Sequence, residues 1–255
     1  MLETAILAAE ASGVVADRYF ESPELKKEFK DDKTLVTAAD REIEEICVAL
    51  IRERHPDHGI VGEEGANVNP DAEYQWVIDP IDGTGNFANG IPFFALSIAV
   101  MKDHLPVAAV VYNPVTRGLY AAEAGKGATW NGHAMRVSDN GPDRATVTVG
   151  YSQKEKRAAF NFIGESPRFV RSGRLLGSCA LELALVANGS TDGFACLGLN
   201  KWDYAAGWLL VKEAGGTLTS CEGNTCTLAD NYFIASNGKT HDAVLALVQE
   251  VLPTK

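Results

Sequence analysis

The sequence predicts a layered α/β protein, and three observations carry that reading. Two amphipathic helical stretches open the chain, short strands separated by turn residues fill its middle, and helices alternate with strands through the last third. At 255 residues, 46% of them hydrophobic and 22% charged, the chain has globular proportions. That length suits one large domain or two closely joined halves.

Ile6–Phe20 reads as the first helix and Ala38 to about Arg54 as the second. Thr37 and Asp40 have capping-box spacing, Ile43, Ile46, Leu50 and Ile51 share a face, and His55–Pro56 ends the second helix. Candidate strands follow at Tyr74–Asp79, Phe93–Lys102, Val107–Tyr112, Gly118–Ala122 and Thr146–Tyr151. A helix from Ser178 to Asn188 closes on Gly189, and Gly193–Leu197 is a strand. Asp203–Ala214 is a helix ended by Gly215–Gly216; Thr217–Ser220 and Tyr232–Ser236 are strands; Thr240 caps a final helix to Leu252. The softest boundary, Asn140–Arg144, divides the chain into halves 1–145 and 146–255.

Charge narrows the function. Lys and Arg number 23 against 34 acids, a net charge of −11. A field of that sign argues against nucleic acid or an anionic membrane as the main partner. Anionic small molecules remain open where something local inverts the sign. The apolar stretch Pro92–Met101 is too short to span a bilayer. The N-terminus has no basic region before Glu3, so a cytoplasmic protein is expected. The five cysteines are odd in number and contain no CxxC pair, which suits reduced structural thiols rather than zinc.

The chemistry concentrates between Arg54 and Lys102. The residues between them include no Lys or Arg but seven acids: Asp57, Glu63, Glu64, Asp71, Glu73, Asp79 and Asp82. Asp57, Asp71 and Glu73 read as solvated turn residues. Glu63 in GIVGEEG and Asp79 and Asp82 in QWVIDPIDGTGNF sit instead where apolar strands meet turns. Carboxylates gathered at a buried strand end must be protonated, paired or metal-bound, and no local cation pairs with these. Hard oxygen ligands suit Mg²⁺, and two such ions could hold a phosphate ester. Amides of the Gly83–Gly85 turn could receive an anion. A rival reading takes Gly83-x-Gly85-x-x-Ala88 with Asp103 as a dinucleotide fingerprint. It leaves Asp79 and Asp82 facing a pyrophosphate, and Pro92 denies it the long helix it needs.

Four segments together resemble the inositol monophosphatase family of Mg²⁺-dependent, lithium-sensitive phosphatases. They are KTLVTAAD (33–40), GEEG (62–65), WVIDPIDGTGNF (76–87) and KWDYAAGWLLVKEAGG (201–216), in the family's order. The resemblance implies an αβαβα sandwich, a homodimer and a phosphomonoesterase acting on a small sugar or polyol phosphate. Inositol 1-phosphate is the default substrate; fructose 1,6-bisphosphate, histidinol phosphate and 3′-phosphoadenosine 5′-phosphate are alternatives. It implies two or three Mg²⁺ ions, with Glu63, Asp79 and the Ile81 carbonyl at one and Asp79, Asp82 and Asp203 at another. Glu63 would also touch a third. Thr84, paired with Asp40, would orient or deprotonate the attacking water, and amides around Gly83 and Thr84 would hold the phosphate. Asp203 reads blandly as a helix cap, and the same fold could also serve a non-catalytic regulatory protein.

The sequence departs from the family pattern at two places. Gly85 stands where the pattern has a second threonine. Cys196 stands where inositol-phosphate members carry a glutamate that accepts hydrogen bonds from sugar hydroxyls. Gly177, Ser178 and Cys179 match the family's substrate wall, with Cys179 in place of alanine. Arg168, Arg171 and Arg174 precede that wall and read either as a solvated stretch or as recognition of a second phosphate.

Overall fold

The computed structural model describes residues 1–22, 25–29 and 35–252. Lys33 and Thr34, the first residues of the 33–40 segment, lie outside the described residues. Helices α1 (Leu2–Tyr19) and α2 (Ala38–Arg54) flank strands β1 (Lys27–Phe29) and β2 (Leu35–Thr37), which pair antiparallel. Then come β3 (Gly59–Gly62), β4 (Asn67–Val68), β5 (Tyr74–Asp82), the short α3 (Thr84–Ala88), β6 (Ala95–Lys102), β7 (Leu105–Asn113), β8 (Gly118–Glu123), β9 (Ala128–Trp130) and β10 (His133–Met135). Strands β3 to β10 form an eight-stranded sheet in the order β10-β9-β8-β7-β6-β5-β3-β4, in which only the β3–β5 pair is parallel.

Residues 136–145 lead to the second sheet. Its sequence is β11 (Thr146–Tyr151), α4 (Lys156–Glu165), β12 (Ser172–Arg174), α5 (Cys179–Ala187), β13 (Gly193–Leu197), α6 (Lys201–Glu213), β14 (Thr217–Ser220), β15 (Tyr232–Ser236) and α7 (His241–Val251). Five strands order as β12-β11-β13-β15-β14, with β11 parallel to β12 and β13. Buried Asp192 ties the connecting segment down, accepting hydrogen bonds from Ser138 Oγ, Asn140 Nδ2 and the Thr146 amide.

Strand alternation builds the layers. On the first sheet, Trp76, Ile78, Leu96, Ile98, Val100 and Val110 face α1 and α2. Val77, Ala99, Ala109 and Val111 face the other way, onto α5 and α6. Those two helices share their core with Phe194, Cys196, Phe233 and Ala235 of the second sheet. The opposite parity, Ala195, Leu197 and Ile234, packs with α4 and α7. The result is helices, sheet, helices, sheet, helices: the αβαβα sandwich. Helices α5 and α6 approach so closely that a Cβ at Gly207 would lie 2.5 Å from Leu183 Cβ.

Several boundaries shift for identifiable reasons. Helix α1 starts at Leu2 rather than Ile6, its first turn carrying Glu3 at the positive end of the helix dipole. Helix α6 starts at Lys201, so Asp203 lies inside its first turn and Asn200 is the N-cap. Thr240 precedes α7, but its hydroxyl donates to the Asn140 carbonyl instead of capping. Helix α4 and the β9–β10 hairpin are additional elements. Among the described residues no helix is long and apolar enough to cross a membrane.

Candidate metal centre

A break in strand register brings the acids together. Asp79 pairs with Ser97 and Asp82 with Ala95, so β5 carries an irregularity between them. In a regular strand, residues three apart point to opposite faces. The bulge at Pro80–Ile81 re-aims Asp82 onto the side of Asp79 while Ile81 buries among α1 and α2. Pro80 suits the site because it has no N–H to offer the ladder.

Asp203 completes the group from α6. One carboxylate oxygen from each of Asp79, Asp82 and Asp203 lies within 4.8 Å of the others. Burial pushes all three carboxyls upward, Asp82 to about 7, and mutual repulsion with Glu63 adds to the shift. Protein donors hold each side chain in place. Asp79 accepts from the Ile81 amide at 3.0 Å, and Asp203 from the Asn200 amide at 2.7 Å. Asp82 accepts from Ser178 Oγ at 2.5 Å, the Ala180 amide at 2.7 Å and the Cys179 amide at 3.1 Å. A crowded group of carboxyl oxygens of this kind is matched by a hard divalent cation with oxygen preference.

Glu63 follows β3, its amide continuing the ladder to the Ile78 carbonyl at 3.1 Å. It lines the cavity with Asp82 and Asp203 but stands outside their tight group. The turn behind it is held by Glu44, a buried acid on α2 that accepts from the amides of Glu64 at 2.9 Å and Ala66 at 2.8 Å. A side chain at Gly62 would collide with that carboxylate, its Cβ 2.1 Å from Oε2. Sequence reasoning missed Glu44; the signal was an acid four residues after Asp40 on the buried face of α2.

Asp40 caps α2 and comes near Thr84. Its Oδ2 accepts from the Thr37 amide at 2.8 Å and the Thr37 hydroxyl at 2.6 Å, completing the capping box. Its Oδ1 lies 3.5 Å from the Thr84 hydroxyl, which is closer, at 3.0 Å, to the Ile81 carbonyl. Burial raises the Asp40 carboxyl to about 7. Gly83, at φ +92°, makes the left-handed turn before α3, and a Cβ there would lie 3.0 Å from the Gly177 carbonyl. Helix α3 spans only Thr84–Ala88, and Asp103 sits in the β6–β7 turn at φ 50°. That geometry removes the dinucleotide reading.

Glu63, Asp82 and Asp203 border a cavity of about 900 Å³ between the two sheets, at the carboxyl ends of β11 and β13. Gly85, Gly177, Ser178 and Cys179 line it. Cys196 does not: it is fully buried, its thiol donating to the Asn231 carbonyl at 3.4 Å. Its parity on β13 turns it into the α5–α6 core. Arg168, Arg171 and Arg174 are exposed and lie off the cavity wall, with Arg168 bound to Glu165 and Glu250. Their exposure fits the solvated of the two readings. Asp57, Asp71 and Glu73 are exposed, as solvated turn residues should be. Glu182, missed in the sequence, lines the cavity fully buried and accepts from the Leu176 amide at 3.1 Å.

A family profile described as inositol monophosphatase matches residues 1–252. The chain belongs to that family. It is 38% identical to the Nus factor SuhB of Salmonella typhimurium, over 99% of this chain and 97% of that one. A Thermotoga maritima protein named fructose-1,6-bisphosphatase/inositol-1-monophosphatase is 39% identical over 90% of this chain and 87% of its own. Among solved structures, the extragenic suppressor protein suhB of Bartonella henselae superposes with a TM-score of 0.91 at 33% identity, covering 98% of each chain. This inositol monophosphatase-family chain thus carries the family's sandwich with an acidic cluster at its centre.

Proposed function

We propose that the protein is a Mg²⁺-dependent phosphomonoesterase of small sugar or polyol phosphates, with inositol 1-phosphate the default substrate. The observation that carries this reading is the Asp79–Asp82–Asp203 cluster, whose Asp82 and Asp203 border the cavity and which has no Lys or Arg ion pair among the described residues. Two or three Mg²⁺ ions fit the donor set. Glu63, Asp79 and the Ile81 carbonyl would hold one, and Asp79, Asp82 and Asp203 another. When bound, such ions supply phosphate neutralisation and a lowered pKa for coordinated water. The chain's own residues do the rest. Thr84 orients the attacking water, with Asp40 as its proton partner, while amides of Gly83 and Thr84 face the phosphate. Gly177, Ser178 and Cys179 bound the substrate on the far wall.

Phosphate release from inositol 1-phosphate, fructose 1,6-bisphosphate, histidinol phosphate and 3′-phosphoadenosine 5′-phosphate, with Mg²⁺ and then EDTA, tests the reading. Release that needs the metal supports it. No release from any of the four, with Mg²⁺ still binding by calorimetry, overturns it for these substrates. The second reading, a non-catalytic role through a protein partner, draws on the relatives named Nus factor SuhB and would then lead. The cluster survives intact here, which favours catalysis.

A further inference from the structure

The cavity is lined by the acids Glu63, Asp82, Glu182 and Asp203 and, among its lining residues, by one cation, Lys154. Lys154 lies in the turn Gln153–Glu155 after β11, on the wall that the second sheet contributes. Glu63 and Asp82 belong to the first sheet's wall. The ammonium is exposed, and no carboxylate lies within ion-pair distance of it among the described residues. The adjacent Glu155 is engaged by the Tyr232 hydroxyl at 2.8 Å. Ser152 and Gln153 line the same stretch and offer further hydrogen bonds. The cavity's volume of about 900 Å³ stands near the top of the range for small-molecule sites, far beyond what a single phosphate fills. Gly85 adds room, since nothing lies within 4 Å of where its side chain would begin.

We propose that Lys154 recognises a second anionic group, phosphate or carboxylate, on a substrate whose scissile phosphate sits at the acidic cluster. This deepens the phosphatase reading and rests on it for the position of the first phosphate. The physical case is one of charge. A substrate with a second anion would meet the repulsion of the protein's net charge of −11 unless a cation met it locally. Lys154 is the lining residue that supplies one. A flexible ammonium donates to phosphate or carboxylate alike, so the class is a doubly anionic sugar or polyol ester rather than one named compound.

The test compares wild type with Lys154→Met, using fructose 1,6-bisphosphate and inositol 1-phosphate as probes. The bisphosphate-to-monophosphate ratio of kcat/KM should fall about tenfold, roughly the worth of one charge-assisted hydrogen bond, mainly through KM. Lys154→Arg should restore most of it. A ratio unchanged within twofold overturns the proposal. Calorimetric binding of fructose 1,6-bisphosphate and inositol 1-phosphate in Mg²⁺ reads the same selectivity without turnover. An inactive wild type therefore fails the phosphatase reading while the binding ratio still decides for or against Lys154.

Discussion

Asp82 accepts a hydrogen bond from the Ser178 hydroxyl at 2.5 Å, joining the end of a strand in one sheet to the start of a helix serving the other. With the Cys179 and Ala180 amides on the same carboxylate, Asp82 caps α5 from outside its own sequence. Ser178, which occupies the N-cap position, makes no capping bond of its own. One carboxylate thus fastens β5 to α5 and faces the cluster at once.

Ser178→Ala should separate those two tasks. Asp82 keeps both amides, so the melting temperature should fall by only a few degrees, in line with a net loss of about 1 kcal/mol for one hydrogen bond. The carboxylate loses an orienting donor, and the Mg²⁺ concentration for half-maximal phosphate release should rise about tenfold, as for other lost partners of a ligand. A metal titration of both proteins decides it; superimposed curves would show that Ser178 only packs.

Asp203→Asn should reverse its effect on stability with the metal. Three carboxyls within 4.8 Å of one another repel in the free protein, so removing one ionisable group should raise the melting temperature in EDTA. In saturating Mg²⁺ the variant should melt below wild type, because it binds the stabilising ion less well. Its kcat should drop on the order of a hundredfold or more. Equal turnover, or lower stability in both buffers, would remove Asp203 from the metal site and leave it as a helix-start residue.

The thiols should be inert. All five cysteines are free and buried, and burial pushes Cys47 to about 11, Cys221 to about 12, and Cys179 and Cys196 well upward. Native protein should react with an aromatic disulfide reagent only over hours, and all five should react at once in denaturant. Cys196→Ser should leave KM for inositol 1-phosphate within about twofold, since the thiol faces the Asn231 carbonyl and a hydroxyl can make that bond. A several-fold change in KM would mean that the thiol shapes the substrate site.

The acids were legible in the sequence because chemistry left few options: carboxylates at the ends of apolar strands, in a stretch without Lys or Arg, need a proton or a metal ion. Their convergence was not. It depends on the Asp79–Asp82 register break, and strand alternation alone would have separated them. The Thr37–Asp40 capping box was readable because both partners are three residues apart. Glu44 and Glu182 act across long sequence separations or on backbone amides, which composition does not reveal. The β9–β10 hairpin was readable but unread: Asn131 and Gly132, both at positive φ, form the two-residue turn that such a pair favours. Helix α4 was obscured by its basic start and by exposed Phe160, which blurs the apolar face made by Ala158, Ala159 and Phe162. Cys196 shows the converse, a position marked by family pattern whose side chain points into the core.

His241 should make the protein acid-sensitive near pH 6. Its ring is wedged between two hydroxyls, Nδ1 at 2.8 Å from Ser236 Oγ and Nε2 at 2.8 Å from Thr219 Oγ1. Thr219 donates its own proton to the Ser220 carbonyl at 3.0 Å, so it accepts from Nε2–H. Ser236 Oγ accepts from the Gly238 amide at 3.1 Å and is free to donate to Nδ1. The neutral ring is satisfied on both sides, whereas a proton on Nδ1 would oppose the Ser236 donor. Burial accordingly holds the imidazole below its usual 6.5, against a smaller upward pull from Asp242. The sign follows from proton counting. The unfolded chain binds a proton near pH 6.5 that the folded chain refuses, so this group's stability is complete above that pH. It is lost as pH falls toward the folded value. His241→Gln should melt lower than wild type at pH 7.5, and the gap should narrow steadily between pH 7 and 5. Taking the difference between the two proteins cancels the acidic cluster, whose raised carboxyls act in the opposite direction. Parallel melting curves across that range would show that His241 keeps the same charge in both states.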